Sequence, residues 1–319
     1  MKQLYYDLLL SSVSVCLGKA RLKAKLLLSM LFLLVSMKSI VAQTALSAGD
    51  IIFTSYDSTP LAGAGDGFSF VLLTPISSGT IISFTDRGYN GSGWQAAGGT
   101  ESTLTWTSGS AIAMGTEVYI RGLVASTYNS ATSSSSANGT VTLTEGSSTN
   151  GLSLSDVGDQ IIAFQGGAGS ITGTGAYCIA GINYFYSGTT TTPGWNIGAF
   201  FPNPNASLMP PGLIGGTSAF YTGSVTGSIL AKSGKFNCTK LPATVNNTNI
   251  RNAVMNMSNW ILSTASVGQY SSCDLRVSTT DVPIVSTTAA TAVTATSATL
   301  GGNVTADGGA TVTERGIVW

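Results

Sequence analysis

Carboxylates are the side chains of this chain with the most chemical potential. Asp50, Asp57, Asp66 and Asp86 succeed one another within residues 50–86, and Asp156 and Asp159 come later. Hard oxygen ligands of this kind could hold Ca²⁺ between loops at one end of a fold, with Asp50, Asp66 and Asp86 as the candidate ligands. The spacing matches no known calcium loop. The competing reading is that Asp stands where turns begin and strands end. Calcium is the one cofactor left open.

Catalysis finds little else to work with. The chain has no histidine, which removes the commonest general base, the commonest zinc ligand and every Ser-His or Cys-His pair. A glycosidase needs two carboxylates facing each other across a cleft, and the glutamates (Glu101, Glu117, Glu145, Glu314) form no repeated acidic motif. Lys232, Lys235 and Lys240 cluster in a polar segment that reads as a solvated loop, so Ser-Lys chemistry has no support either. No residue is assigned a catalytic role. Among the aromatics, Trp94 and Trp195 sit in Gly-rich stretches and are the candidates for stacking on a sugar ring or a protein partner; the alternative is that they plug the end of a sandwich. Trp106 alternates with Leu104 and belongs to the core.

Charge and sorting signals narrow the setting. Residues 1–42 hold six bases and one acid. Lys19 to Lys25 is a positive segment, Leu26 to Met37 an apolar run, and Ser39-Ile40-Val41-Ala42 a cleavage-like site, the pattern of an export signal cut after Ala42. The apolar run is shorter than the roughly 20 residues a membrane span needs. Residues 43–319 carry eight bases and thirteen acids, with no basic stripe for a phosphate backbone. The expectation is a secreted or cell-surface protein with no membrane span after cleavage and no nucleic-acid partner. Export also permits disulfides. Of Cys178, Cys238 and Cys273, the preferred pair is Cys238–Cys273, both late in the same region; three unpaired thiols are the alternative.

These residues must be positioned by strands. Ile51–Thr54, Phe68–Leu73, Ile81–Thr85, Thr103–Thr107, Glu117–Arg121, Thr140–Thr144, Leu152–Leu154 and Gln160–Phe164 are short β-branched or aromatic runs bounded by Gly, Ser, Pro or Asp. Phe68, Phe70 and Leu72 share a face, as do Ile82 and Phe84, because strand side chains alternate. A further strand is read at Tyr177–Tyr186, a short helix at Asn249–Ile261 with Thr248 as its cap, and linkers at Gly91–Gly99 and Ser126–Gly139. No long helix separates the strands, which argues an antiparallel β-sandwich over residues 43–276. Residues 277–283 read as a linker and 284–319 as the first part of a second β module.

Particular stretches carry two resemblances. Leu46-Ser-Ala-Gly-Asp-Ile-Ile-Phe-Thr54, Phe68-Ser-Phe-Val-Leu-Leu73, Gly79-Thr-Ile-Ile-Ser-Phe-Thr-Asp86, Thr103-Leu-Thr-Trp106 and Gly158-Asp-Gln-Ile-Ile-Ala-Phe-Gln165 resemble a module of unassigned function in secreted, multidomain bacterial surface proteins. The strand order and Gly-Asp hairpin also resemble, more distantly, the lamin-tail type of immunoglobulin-like sandwich. Thr296 to Trp319 is similar to the opening of fibronectin-type-III-like repeats from Bacteroidetes-type bacteria, which implies a stalk. With no histidine, few acids and no nucleophile motif, the expectation is a non-catalytic binding or adhesion module contacting a glycan or an extracellular protein. The alternatives are an accessory domain of a secreted hydrolase whose catalytic part lies beyond Trp319, or a plain structural spacer.

Overall fold

The computed structural model describes residues 43–61, 65–166, 177–184, 195, 205–222, 231–243, 245–268, 270–276, 284–306, 312 and 314–316. The stretches read from the sequence as a leader, 1–42, and as a linker, 277–283, lie outside them. The described chain is an all-β sandwich of two sheets. One sheet has seven strands in the order β13-β12-β1-β2-β5-β6-β7: Trp260–Ser263, Ser233–Phe236, Ile51–Leu61, Gly65–Leu72, Glu117–Arg121, Val124–Asn129 and Ser134–Ala137. The other has six in the order β11-β10-β9-β3-β4-β8: Ala219–Tyr221, Tyr177–Asn183, Gln160–Gln165, Ile81–Thr85, Thr103–Thr107 and Thr140–Glu145. Neighbours are antiparallel except β10 and β11. A separate antiparallel ladder joins β14 (Ile284–Thr291) to β15 (Thr299–Ala306).

The alternation visible in the sequence builds the core between the sheets. Phe84 on β3 meets Phe53, Phe68 and Phe70 of the facing sheet, with centroids 6.4, 4.9 and 5.1 Å apart. Trp106 on β4 meets Phe70 edge-on at 5.8 Å. Tyr56 and Tyr184 stack at 4.2 Å. All these rings are buried, and aromatic pairs in such geometries add about 0.5–1.5 kcal/mol beyond the area they hide.

On β5, Val118 and Ile120 face this core, so Glu117, Tyr119 and Arg121 face outward. They are covered nonetheless, because residues 264–268 and 270–276 lie across that outer face as a strap. Tyr270 packs on Tyr119 and Tyr128 with centroids 5.1 and 5.0 Å away. The Ser271 backbone N–H and hydroxyl donate to Glu117 at 2.9 and 3.0 Å. Thr54 and Ser69 donate their hydroxyls to the same carboxylate at 2.6 and 2.9 Å. Cys273 in the strap is bonded to Cys238 beside β12, Cα atoms 5.1 Å apart. Cys178 is a buried free thiol that burial pushes up to about 12.

Several local expectations need correction. Ser126–Gly139 is mostly a hairpin, β6 and β7, whose Ser and Thr side chains alternate without an apolar face to betray it. Ser233–Phe236, inside the lysine-bearing segment, is an inner strand paired to both β1 and β13. The helix, α1, spans Asn247–Val254. Asn246, not Thr248, caps it by accepting the Asn249 N–H at 2.8 Å. It stops before Trp260, which begins β13. The strand at 177 ends at Asn183. Leu152–Leu154 is no strand, because the Ser153 and Leu154 amides donate to side chains and not to a ladder. Among the described residues no helix is long and apolar enough to cross a membrane.

Candidate functional site

Three consecutive backbone N–H groups define the site. Those of Ser153, Leu154 and Ser155 donate to three different carboxylates: Asp86 at 2.9 Å, Asp66 at 2.6 Å and Asp159 at 2.9 Å. Asp66 stands at the start of β2, Asp86 just past β3, and Asp159 just before β9. One loop is therefore pinned to both sheets at the end where the β1–β2 turn lies. Asp86 also accepts the Ser102 N–H at 2.6 Å, Asp159 accepts the Gln160 N–H at 2.9 Å, and the Gln160 amide donates to the Asp86 carbonyl.

Charge at this end is crowded. Burial holds Asp66 up to about 7; the Leu154 N–H and Arg121 pull it down, and Asp57 and Asp86 push it up. Burial likewise raises Asp86 to about 7 against the Ser102 and Ser153 N–H groups. Glu101 is raised to about 8 by burial and by Asp86. Its Oε2 and the neighbouring Ser102 hydroxyl are buried with no hydrogen-bond partner among the described residues. Asp159 is raised by burial, Asp86 and Glu101 together. Arginines neutralise the flanks. Arg121 pairs with Asp57 at 2.7 Å, and Arg87 pairs with Glu145 at 2.7 Å. Asp57 also accepts the Ser266 hydroxyl of the strap at 2.5 Å.

In front of the pinned loop lies an open groove of about 540 Å³, lined by Ser58, Thr59, Asp66, Ser153, Leu154, Asp156, Lys232 and Thr264. The first sheet supplies Ser58 and Thr59 from β1 and Asp66 from β2. The loop supplies Ser153, Leu154 and Asp156, and the strap supplies Thr264. Lys232 precedes β12 and reaches Asp156 at 2.6 Å. Ser58 fixes that approach, because its N–H and hydroxyl both donate to the Lys232 carbonyl, at 3.0 and 2.7 Å. The volume falls in the range of small-ligand sites, about 300–1,000 Å³.

The residues singled out from the sequence are distributed differently. Asp50 sits next to Ile51, whose partner is Leu72, while Asp66 lies at the opposite end of the same pair, beside the Leu61–Gly65 turn. At about 3.3 Å per strand residue that separates them by roughly 20 Å, so Asp50, Asp66 and Asp86 do not share one ion. Asp50 instead accepts the Ser47 N–H at 2.7 Å and the Thr74 hydroxyl at 3.1 Å. Among the described residues no group of three or more Cys, Asp or Glu side chains is arranged to hold a metal. Trp94 and Trp195 are not open platforms. Both pack, half-buried, on a second small core of Ile162, Phe164, Cys178, Leu213 and Ala219 on the outer face of the six-stranded sheet. Trp94 leans on Tyr89 at 5.2 Å, and the Trp195 indole N–H donates to the Phe220 carbonyl at 3.1 Å. Asp66, Asp86 and Asp159 meet because the Leu152–Ser155 backbone joins them. Nothing in the sequence marks Lys232, Asp156 and Thr264 as residues of one groove.

Comparison with protein-family models, curated proteins and solved structures returned no match.

Proposed function

We propose that this chain carries a non-catalytic recognition module that works outside the cell, as part of a secreted or surface-attached protein, and engages a glycan or an extracellular protein through the groove between β1, the 152–156 loop and the strap. The observation that carries the reading is the groove itself, a concave surface where carboxylate, ammonium and hydroxyl groups converge on a frame pinned by Asp66, Asp86 and Asp159. The Cys238–Cys273 bond supports an oxidising location. The immunoglobulin-like, lamin-tail-like and fibronectin-type-III-like resemblances fit such a protein, and β15 falls on the stretch that carries the last of them. A plain spacer is the competing reading, favoured by the packing of Trp94 and Trp195.

The test is an array of glycans and extracellular matrix proteins probed with the full chain and with a Lys232→Glu variant. Binding that the variant loses supports the groove. Silence on every spot leaves the spacer as the better account, and turnover of any glycan overturns the non-catalytic reading. Export is tested separately: mass spectrometry of material recovered outside the cell should find a chain beginning at Gln43, and an intact Met1 terminus would refute it.

A further inference from the structure

The lining of the groove restricts what it can hold. A cationic ligand would meet the Lys232 ammonium, and an anionic one would meet Asp66 and Asp156. Such like-charge approaches are what specific sites use to reject wrong partners. Ser58, Thr59, Ser153 and Thr264 add hydroxyls, and among the described residues Leu154 is the sole large apolar one in the wall. A wall with donors, acceptors and both signs of charge suits a neutral ligand whose groups donate and accept at once, which is the property of a hydroxyl. An open groove, in contrast to a closed pocket, suits a chain.

Asp66 is set up to be the central acceptor. Its Oδ2 is held by the Leu154 N–H at 2.6 Å, its Oδ1 has no hydrogen bond among the described residues, and the residue lines the groove. In the same groove Asp156 and Lys232 form an ion pair with both side chains more than a third exposed, 57% and 37%. A pair that exposed contributes about 0–1 kcal/mol, so a ligand can part it and use both partners. We propose that the groove is a binding site for a neutral polyhydroxylated chain, an oligosaccharide, whose hydroxyls are received by Asp66 and by the opened Asp156–Lys232 pair.

This rests on the recognition function proposed for the groove and adds a proton linkage to it. The ionised carboxylate accepts on both oxygens, whereas protonation turns one of them into a donor and weakens the other as an acceptor. Asp66 is held up to about 7 by burial, with Asp57 and Asp86 raising it and Arg121 lowering it. Asp86 and Tyr184 are close enough to couple to it, Asp86 couples in turn to Asp159, and Asp156 and Lys232 line the same groove. If only the ionised form binds, the competent fraction rises about tenfold between pH 6 and pH 8, and the apparent Kd tightens by the same factor.

The experiment is calorimetry with the full chain against cellohexaose, xylohexaose, mannohexaose and maltohexaose, with hexalysine and hexaglutamate as charged controls. One hexasaccharide should bind, with an affinity unchanged between 0.1 and 1 M salt as roughly expected for a neutral ligand, and about tenfold tighter at pH 8 than at pH 6. Asp66→Asn should weaken it at least about tenfold and abolish the pH dependence. Thr264→Trp, at an exposed strap position, should block it with the pinned carboxylates left in place, so the inference stays testable even if the Asp66 variant does not fold. Salt-sensitive hexalysine binding, hexasaccharide binding indifferent to both variants, or no hexasaccharide binding would each overturn the inference. Array binding of an extracellular protein that Lys232→Glu abolishes, with no hexasaccharide bound, would leave the groove's recognition function standing and remove only the oligosaccharide assignment.

Discussion

Asp66, Asp86 and Glu101 keep their protons to about 7, 7 and 8 because burial and mutual repulsion disfavour their charge. In the unfolded chain the same groups titrate near their ordinary values of about 4. Between those limits the folded state binds more protons than the unfolded one, so stability falls as pH rises from about 4 to about 8 and levels off above. Thermal unfolding should therefore begin at a higher temperature at pH 5 than at pH 8. Asp86→Asn should flatten that dependence, and a midpoint that climbs from pH 5 to pH 8 would refute the account. Gly65, next to Asp66, is a second demanding position. Its φ is +71°, and a Cβ there would lie 2.1 Å from the Asn150 carbonyl oxygen. Gly65→Ala should cost more than about 1–3 kcal/mol, since strained φ and a backbone collision add; equilibrium denaturation in urea measures it.

At the scale of elements, strands that bury one face are legible in the sequence and those that do not are silent. Phe68, Phe70 and Leu72, or Leu104 and Trp106, alternate with polar neighbours and announce their strands. β7 is Ser-Ser-Ser-Ala, fully exposed, and β12 is Ser-Gly-Lys-Phe; neither has an apolar period to read. The site is hidden for a different reason. Its carboxylates are visible as residues, but the loop that gathers them carries the apolar alternation of a strand, and nothing in sequence tells which amides turn toward which acids. Trp94 and Trp195 mislead because a Gly-rich neighbourhood suggests exposure, whereas their rings serve a second core. The disulfide is an element-level tie, closing a sequence separation of 35 residues. Replacing both Cys238 and Cys273 with Ser should lower unfolding free energy by about 3–4 kcal/mol on the chain-entropy model. Urea midpoints of the pair measure it, and an unchanged midpoint would show that the strap's hydrogen bonds suffice without it.

At the scale of the molecule, the chain leaves the sandwich through the strap, and the strap is covalently joined to a segment adjoining an inner strand of the larger sheet. That has a mechanical consequence. A pull applied beyond residue 276 would reach Cys273 after a few residues and pass through the sulfur bridge to Cys238, beside β12, without peeling Tyr270 and Ser271 from the sheet. Residues between the two cysteines cannot lengthen while the bond holds. In single-molecule extension between the ends of the chain, reduction should add the contour of those 35 residues, roughly 120 Å at about 3.4 Å each. It should also let the strap detach first, at lower force. While the bond holds, a pull along the chain leaves Thr264, the strap residue that lines the groove, in its place.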